Sequence, residues 1–235
     1  MDRHRRAFLS ICTATAYTDI VTPEGEHRKE TIMLIIEKPY RRERAVEYAQ
    51  RWALSRNPLF PDFTGIGGDC TNFVSQCILA GGCIMDFTPI YGWYYRSPSD
   101  RAPAWAGVEY LYDFLVGIPE FSRANDGVGP WGREVERRRV MPGDVVQLAN
   151  ETGDFYHTLF ISGVTREEIY VCGHSDDALN RALSTYRYAS DRFIHIEGYR
   201  LGVQDDSCFE ALLAGESLPE AAVFGQTDVG VDDES

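Results

Sequence analysis

The chain has 235 residues, 44% of them hydrophobic, which suits one domain with a substantial core and appendages better than two full domains. Its formal charge of −13 argues against a nucleic-acid partner, because phosphate binding needs clustered Lys and Arg. Nine acidic residues and no basic one lie between Val203 and Ser235, so the body carries only −4, and no apolar run approaches the roughly 18 residues that span a bilayer.

Met1 to Arg6 is basic, and Ala7 to Ala16 is apolar but interrupted by Ser10, Thr13 and Thr15, a weak likeness to a signal peptide. Synthesis in the cytoplasm is the expectation, and unpaired cysteines suit that compartment. Thr15 to Thr22 and Glu30 to Glu37 read as extended segments around the turn cluster Pro23-Glu24-Gly25-Glu26. They form either an appended hairpin or the end of an upstream module. From Arg42 to Ser55 the apolar residues Ala45, Val46, Tyr48, Ala49, Trp52 and Ala53 fall on a helical period, ended before Asn57-Pro58. A loop carrying Phe60 and Phe63 follows.

Gly67-Gly68-Asp69-Cys70 then leads into Phe73, Val74, Cys77 and Ile78, spaced as one buried face of a helix, with Gly81-Gly82 as its stop signal. Asp69 is a good N-cap. Cys70 at the helix start meets the positive end of the helix dipole, which favours thiolate and makes it a candidate nucleophile. Cys77 reads as packing. Cys12, Cys83, Cys172 and Cys208 show no partner pattern, and no spacing suggests zinc.

Tyr91, Trp93, Tyr94 and Tyr95 lie in a long irregular stretch, as the lining of a substrate groove (Trp93, Tyr94) or as anchors of the loop on the core. Trp105 to Leu115 resumes a helical pattern. Met141-Pro142-Gly143-Asp144 is a turn before a short strand, Val145 to Leu148. Tyr156 to Val164 and Ile169 to His174 then read as a β-hairpin. A turn centred between Thr165 and Arg166 would pair His157 with His174, Leu159 with Cys172 and Ile161 with Tyr170, so the two histidines would share a face. A slip of one residue would separate them. Phe193 to Ile196 reads as a strand in which His195 is an ordinary strand histidine. Residues 201–235 form an acidic tail, expected to be flexible.

A cysteine at a helix start and a histidine at a strand start form the arrangement of thiol hydrolases. Cys70 would attack a carbonyl, and His157 would pair with the thiolate and then protonate the leaving amine. His174 is the first candidate for the residue orienting His157, with Asp176 and Asp177 as rivals, and Asn72 is a candidate oxyanion donor beside the Cys70 N–H. Such chemistry needs no cofactor and no metal.

The helix with Ala45-Val46-x-Tyr48-Ala49, then Asn57-Pro58 and Asp69-Cys70-Thr71-Asn72-Phe73-Val74-Ser75-Gln76-Cys77, resembles the putative amidase domain family of bacteria. The likeness continues through Gly92-Trp93-Tyr94-Tyr95, Trp105, Pro142-Gly143-Asp144-Val145, Tyr156-His157-Thr158 and His174-Ser175-x-Asp177-x-Leu179-Asn180-Arg181. That family is similar to the papain-like NlpC and CHAP groups, which cut amide bonds in peptidoglycan. The resemblance implies an α+β, papain-like fold with the nucleophile-bearing helix packed on an antiparallel sheet, Cys70 as nucleophile, His157 as base and His174 as third member. It implies residues 40–200 as the catalytic domain, 1–39 as an N-terminal appendage, and a peptide or peptidoglycan-like substrate. Ala182 stands where the family has proline. Hydrolysis, acyl transfer from the same thioester, and a binding module without turnover remain open, as does action at the cell wall.

Overall fold

A computed structural model of the protein describes residues 16–21, 27–32, 36–124, 127–201 and 208–217. Strands β1 (Ala16–Val21) and β2 (His27–Ile32) pair antiparallel, β2 starting three residues before the stretch the sequence pattern marks. The end of that stretch is instead β3 (Ile36–Pro39), which joins the main sheet across the boundary drawn at residue 39.

Helix α1 (Arg42–Trp52) buries Ala45, Tyr48, Ala49 and Trp52, the face its periodicity predicts. Helix α2 (Cys70–Gly82) departs from expectation, because all 13 of its residues are buried. Its polar side is satisfied by protein instead of water. Gln76 Oε1 accepts from Tyr48 Oη at 2.8 Å, and Ser75 Oγ donates to the Trp105 carbonyl at 2.8 Å while accepting from Trp93 Nε1 at 3.0 Å. Gly81 and Gly82 do not stop the helix. The cap is Cys83 at φ 58°, whose N–H returns to the Leu79 carbonyl. Gly81 is there for close approach, since a Cβ would stand 2.1 Å from Tyr40 Cε2.

The small ribbon β4 (Tyr95–Ser97) and β5 (Asp100–Arg101) precedes three helices, α3 (Pro103–Ala106), α4 (Val108–Val116) and α5 (Pro119–Ala124). Strands β6 (Gly129–Val135), β7 (Val145–Ala149), β8 (Phe155–Val164), β9 (Ile169–Gly173), β10 (Ala178–Ala182) and β11 (Ser190–Leu201) follow, then helix α6 (Cys208–Ala214). The sheet runs β10-β9-β8-β7-β11-β3, with β6 also on β11, and every pairing is antiparallel.

Alternation along the strands makes two cores. Val145, Phe160, Cys172, Ile194 and Ile196 meet Phe73, Val74 and Cys77 of α2 on one face. Val146, Leu148, Leu159, Ile161, Val171 and Phe193 make the other, closed by Val140, Leu183 and Tyr186. Full burial of each such side chain contributes about 1.5–3 kcal/mol. Part of the stretch read as a tail joins this fold: Leu212 of α6 is fully buried, and its carbonyl accepts from Trp52 Nε1 at 3.1 Å and Asn57 Nδ2 at 2.9 Å. Residues 218–235 lie outside the described residues. Among the described residues no helix is long and apolar enough to cross a membrane.

The β8–β9 register corrects the sequence reading. Thr165 to Glu168 form the turn, with Thr165 N–H donating to the Glu168 carbonyl and Thr165 Oγ1 accepting from the N–H groups of Glu167 and Glu168. Val164 therefore faces Ile169, and a bulge at Ser162 then sets Ile161 opposite Val171 and Phe160 opposite Cys172. Carried on, this register puts Thr158, not His157, across from His174. The two histidines fall on opposite faces.

Candidate active site

Cys70 is the first residue of α2, 6% exposed, and its thiol is free. Before it, Gly67 and Gly68 take φ near +100°, which a side chain would resist, and bring the chain sharply into the helix. Asp69 occupies the N-cap position but does not cap, because its fully buried carboxylate is used elsewhere. It accepts from Phe63 N at 3.1 Å, Asn72 Nδ2 at 2.7 Å and His174 Nδ1 at 2.7 Å, and pairs with Arg56 Nε at 3.2 Å. Its own N–H donates to Ser175 Oγ at 2.7 Å. The Asp69 side chain makes no capping bond to the first turn of α2, and among the described residues no side chain is recorded accepting from the N–H groups of that turn.

His174 is 1% exposed and stacks on Phe73, ring centres 4.0 Å apart. Its Nε2 faces the Trp52 carbonyl at 2.9 Å while Nδ1 faces Asp69. A carbonyl only accepts, so Nε2 carries a hydrogen and donates it to Trp52, while Nδ1 stands against the Asp69 carboxylate. His174 therefore clamps α1 and α2 to the end of β9 and has no contact with the His157 ring. Asp177 lies close by, bidentate on Arg56 at 2.9 and 3.0 Å.

His157 faces Leu148 across β7–β8, and so lies on the sheet face away from α2. Its ring sits between those of Tyr156 and Tyr186, each 6.2 Å away. Burial pushes its pKa down, Asp176 opposes that, and Arg181 adds to it. Asp176, paired with Arg181 at 2.5 Å, is thus the carboxylate that His157 feels. Among the described residues no imidazole reaches the Cys70 sulfur, whose polar contact is Thr71 Oγ1 at 3.8 Å. Thr71 Oγ1 lies 2.9 Å from Thr158 Oγ1, so the residues following Cys70 and His157 touch at one end of the sheet.

Three other candidates turn out to be structural. Asn72 gives both amide hydrogens away, to Pro61 O and Asp69, and accepts from Trp105 Nε1 at 2.8 Å, which leaves none for an oxyanion. Trp93 is fully buried against Trp105 and Phe114, and Tyr94 packs on Phe87 with Arg96 over it. Their burial fits the reading of these aromatics as anchors of the loop on the core. Cys83, given no partner from the sequence, is disulfide-bonded. Sequence reasoning also missed Arg56, because an arginine in a loop carries no signal that Asp62, Asp69 and the distant Asp177 will gather around it.

The molecule is thus a mixed α/β domain in which a thiol-bearing helix start sits on an antiparallel sheet. The chain belongs to the Putative amidase domain family, whose profile matches residues 39–197. A protein of Bacillus subtilis (strain 168) called "Uncharacterized protein YhbB" is 32% identical over 125 residues, 52% of this chain. The match spans only 37% of that protein's length. No solved structure gives a significant match.

Proposed function

We propose that the chain is a cysteine-dependent amidase or peptidase with a papain-like arrangement, in which Cys70 forms a thioester with the acyl side of an amide bond. The observation that carries this reading is the uncapped first turn of α2. Asp69 is diverted to His174, Arg56 and Asn72, which leaves the N–H groups around Cys70 available to a developing oxyanion. Membership of an amidase family supports amide bonds as the substrate. His157, kept neutral by burial, is the proposed base, with Asp176 as its charged neighbour. Reaching the sulfur requires the ring to swing around the rim of the sheet when substrate binds.

Peptides of the bacterial cell wall are the proposed substrate, on the strength of the resemblance to the NlpC and CHAP groups. Purified wild-type and Cys70→Ala protein incubated with intact and fragmented peptidoglycan test the proposal. Release of new amino termini by the wild type alone is expected, and equal release by both proteins would overturn it. A second reading, a binding module without turnover, is favoured by the position of His157 on the far face of the sheet. Retention of peptidoglycan with no bond cleaved would favour it.

A further inference from the structure

A row of polar side chains crosses the sheet beneath α2. Arg192 on β11 is the neighbour of Gln147 on β7, and Gln147 is the neighbour of Thr158 on β8. Thr71, Gln147 and Thr158 are all fully buried. Arg192 Nε meets Gln147 Oε1 at 2.7 Å, Gln147 Nε2 meets the Val108 carbonyl at 2.7 Å and Thr158 Oγ1 at 3.3 Å, Thr158 Oγ1 meets Thr71 Oγ1 at 2.9 Å, and Thr71 Oγ1 meets Cys70 Sγ at 3.8 Å.

Counting hydrogens fixes the first two bonds of this chain and allows one direction through the two hydroxyls. Arginine only donates, so the amide atom facing Arg192 is the Gln147 oxygen, and the NH2 group points at Thr158. Thr158 accepts there, and its one hydrogen is available to Thr71. With Thr71 accepting from Thr158, the Thr71 hydrogen is available to the sulfur. The root is rigid, since the Arg192 guanidinium lies between the rings of Tyr112 at 3.6 Å and Phe155 at 3.8 Å and pairs with Glu109 at 2.7 Å.

We infer that Arg192, Gln147, Thr158 and Thr71 form a one-way hydrogen-bond relay that aims a donor at the Cys70 sulfur and stabilises its thiolate. Thr71 touches the sulfur, and Thr158 and Gln147 are positioning residues acting through it. The inference rests on the reading of Cys70 as nucleophile. A relay polarised from one end by a cation strengthens its last bond, and a donor to an anionic acceptor gains more than one to a neutral acceptor.

The test is the pH profile of iodoacetamide alkylation at Cys70, read by peptide mass spectrometry in the full chain. Other titratable or charged groups around the helix start are Asp69, His174, Arg56, Asp177 and His157, and none is altered by the substitutions. Thr71→Val is expected to move the profile to higher pH and slow alkylation at neutral pH about tenfold, the lower range for a hydrogen bond to a charged group. Thr71→Ser is expected to restore it. Should Thr71→Val fold poorly, the double variant Thr71→Val/Thr158→Val removes both hydroxyls of the pair together and carries the same expectation. Selective Cys70 alkylation with an unchanged profile in these variants would overturn the relay alone. Absence of selective alkylation in the wild type would overturn both the relay and the nucleophile.

Discussion

Two buried aspartates hold the two ends of α1 to the sheet, with the same kinds of partner and different results. At the far end of the helix Asp69 takes His174 Nδ1, Arg56, a backbone N–H and Asn72. At the near end Asp144 takes His195 Nδ1 at 2.9 Å, Arg42 Nη1 at 2.6 Å and the N–H groups of Met141 and Ile196. Arg42 also donates to the carbonyls of Pro142 and Ile196. Both carboxylates are wholly buried and fully used, as a buried charge must be. The Asp144 cluster closes a turn onto a strand and ends there. The Asp69 cluster sits at an N-cap, so diverting its carboxylate opens the helix end that carries Cys70. The same trio is architecture at one site and, one residue from a thiol, the setting of the proposed chemistry.

The largest test of that contrast removes each carboxylate. Asp69→Ala and Asp144→Ala each strand buried cationic and N–H donors and are expected to cost about 3–5 kcal/mol in urea unfolding. Only Asp69→Ala should also change the rate of Cys70 alkylation in the folded fraction, and an equal change in both would erase the contrast. Removing the arginines should separate the clusters further. Arg42→Met loses bonds to a buried carboxylate and two carbonyls, about 2–3 kcal/mol. Arg56→Met, whose guanidinium is partly exposed and shares its charge with Asp62 and Asp177, should cost about 1 kcal/mol.

The smallest effect concerns His157, outside both clusters. Its folded pKa is lowered by burial, so the unfolded chain binds the proton first as pH falls below about 6.5. Native stability should then decline as pH falls from there through the lower folded value, and His157→Gln should flatten that decline. An unchanged pH slope in the variant would show the ring to be solvated. In alkylation experiments the buried Cys77 and Cys172 thiols, held up by desolvation, should react slowly beside Cys70.

The thiol at a helix start was legible because Gly-Gly-Asp and the following apolar spacing are local signals. The partner of His174 was not, because it depends on a four-residue turn that moves the pairing by two residues and a bulge at Ser162 that moves it back by one. Trp93 and Tyr94 stayed open between two readings for the opposite reason. Aromatic density is the same for a groove and an anchor, and only burial separates them. Gln147 and Arg192 gave no signal, since polar residues in a strand read as solvent-facing until a helix is known to cover them.

Trp52 has a consequence for where the protein can be cut. Its carbonyl holds His174 while its indole N–H is held by Leu212, which lies beyond the region shared with the family. A polypeptide truncated at residue 200 would keep every candidate catalytic side chain, yet leave the Trp52 indole without its acceptor and the Asn57 amide with Tyr48 Oη alone, at the far wall of the histidine socket. The helix pair at this socket therefore draws on α6, beyond the family boundary.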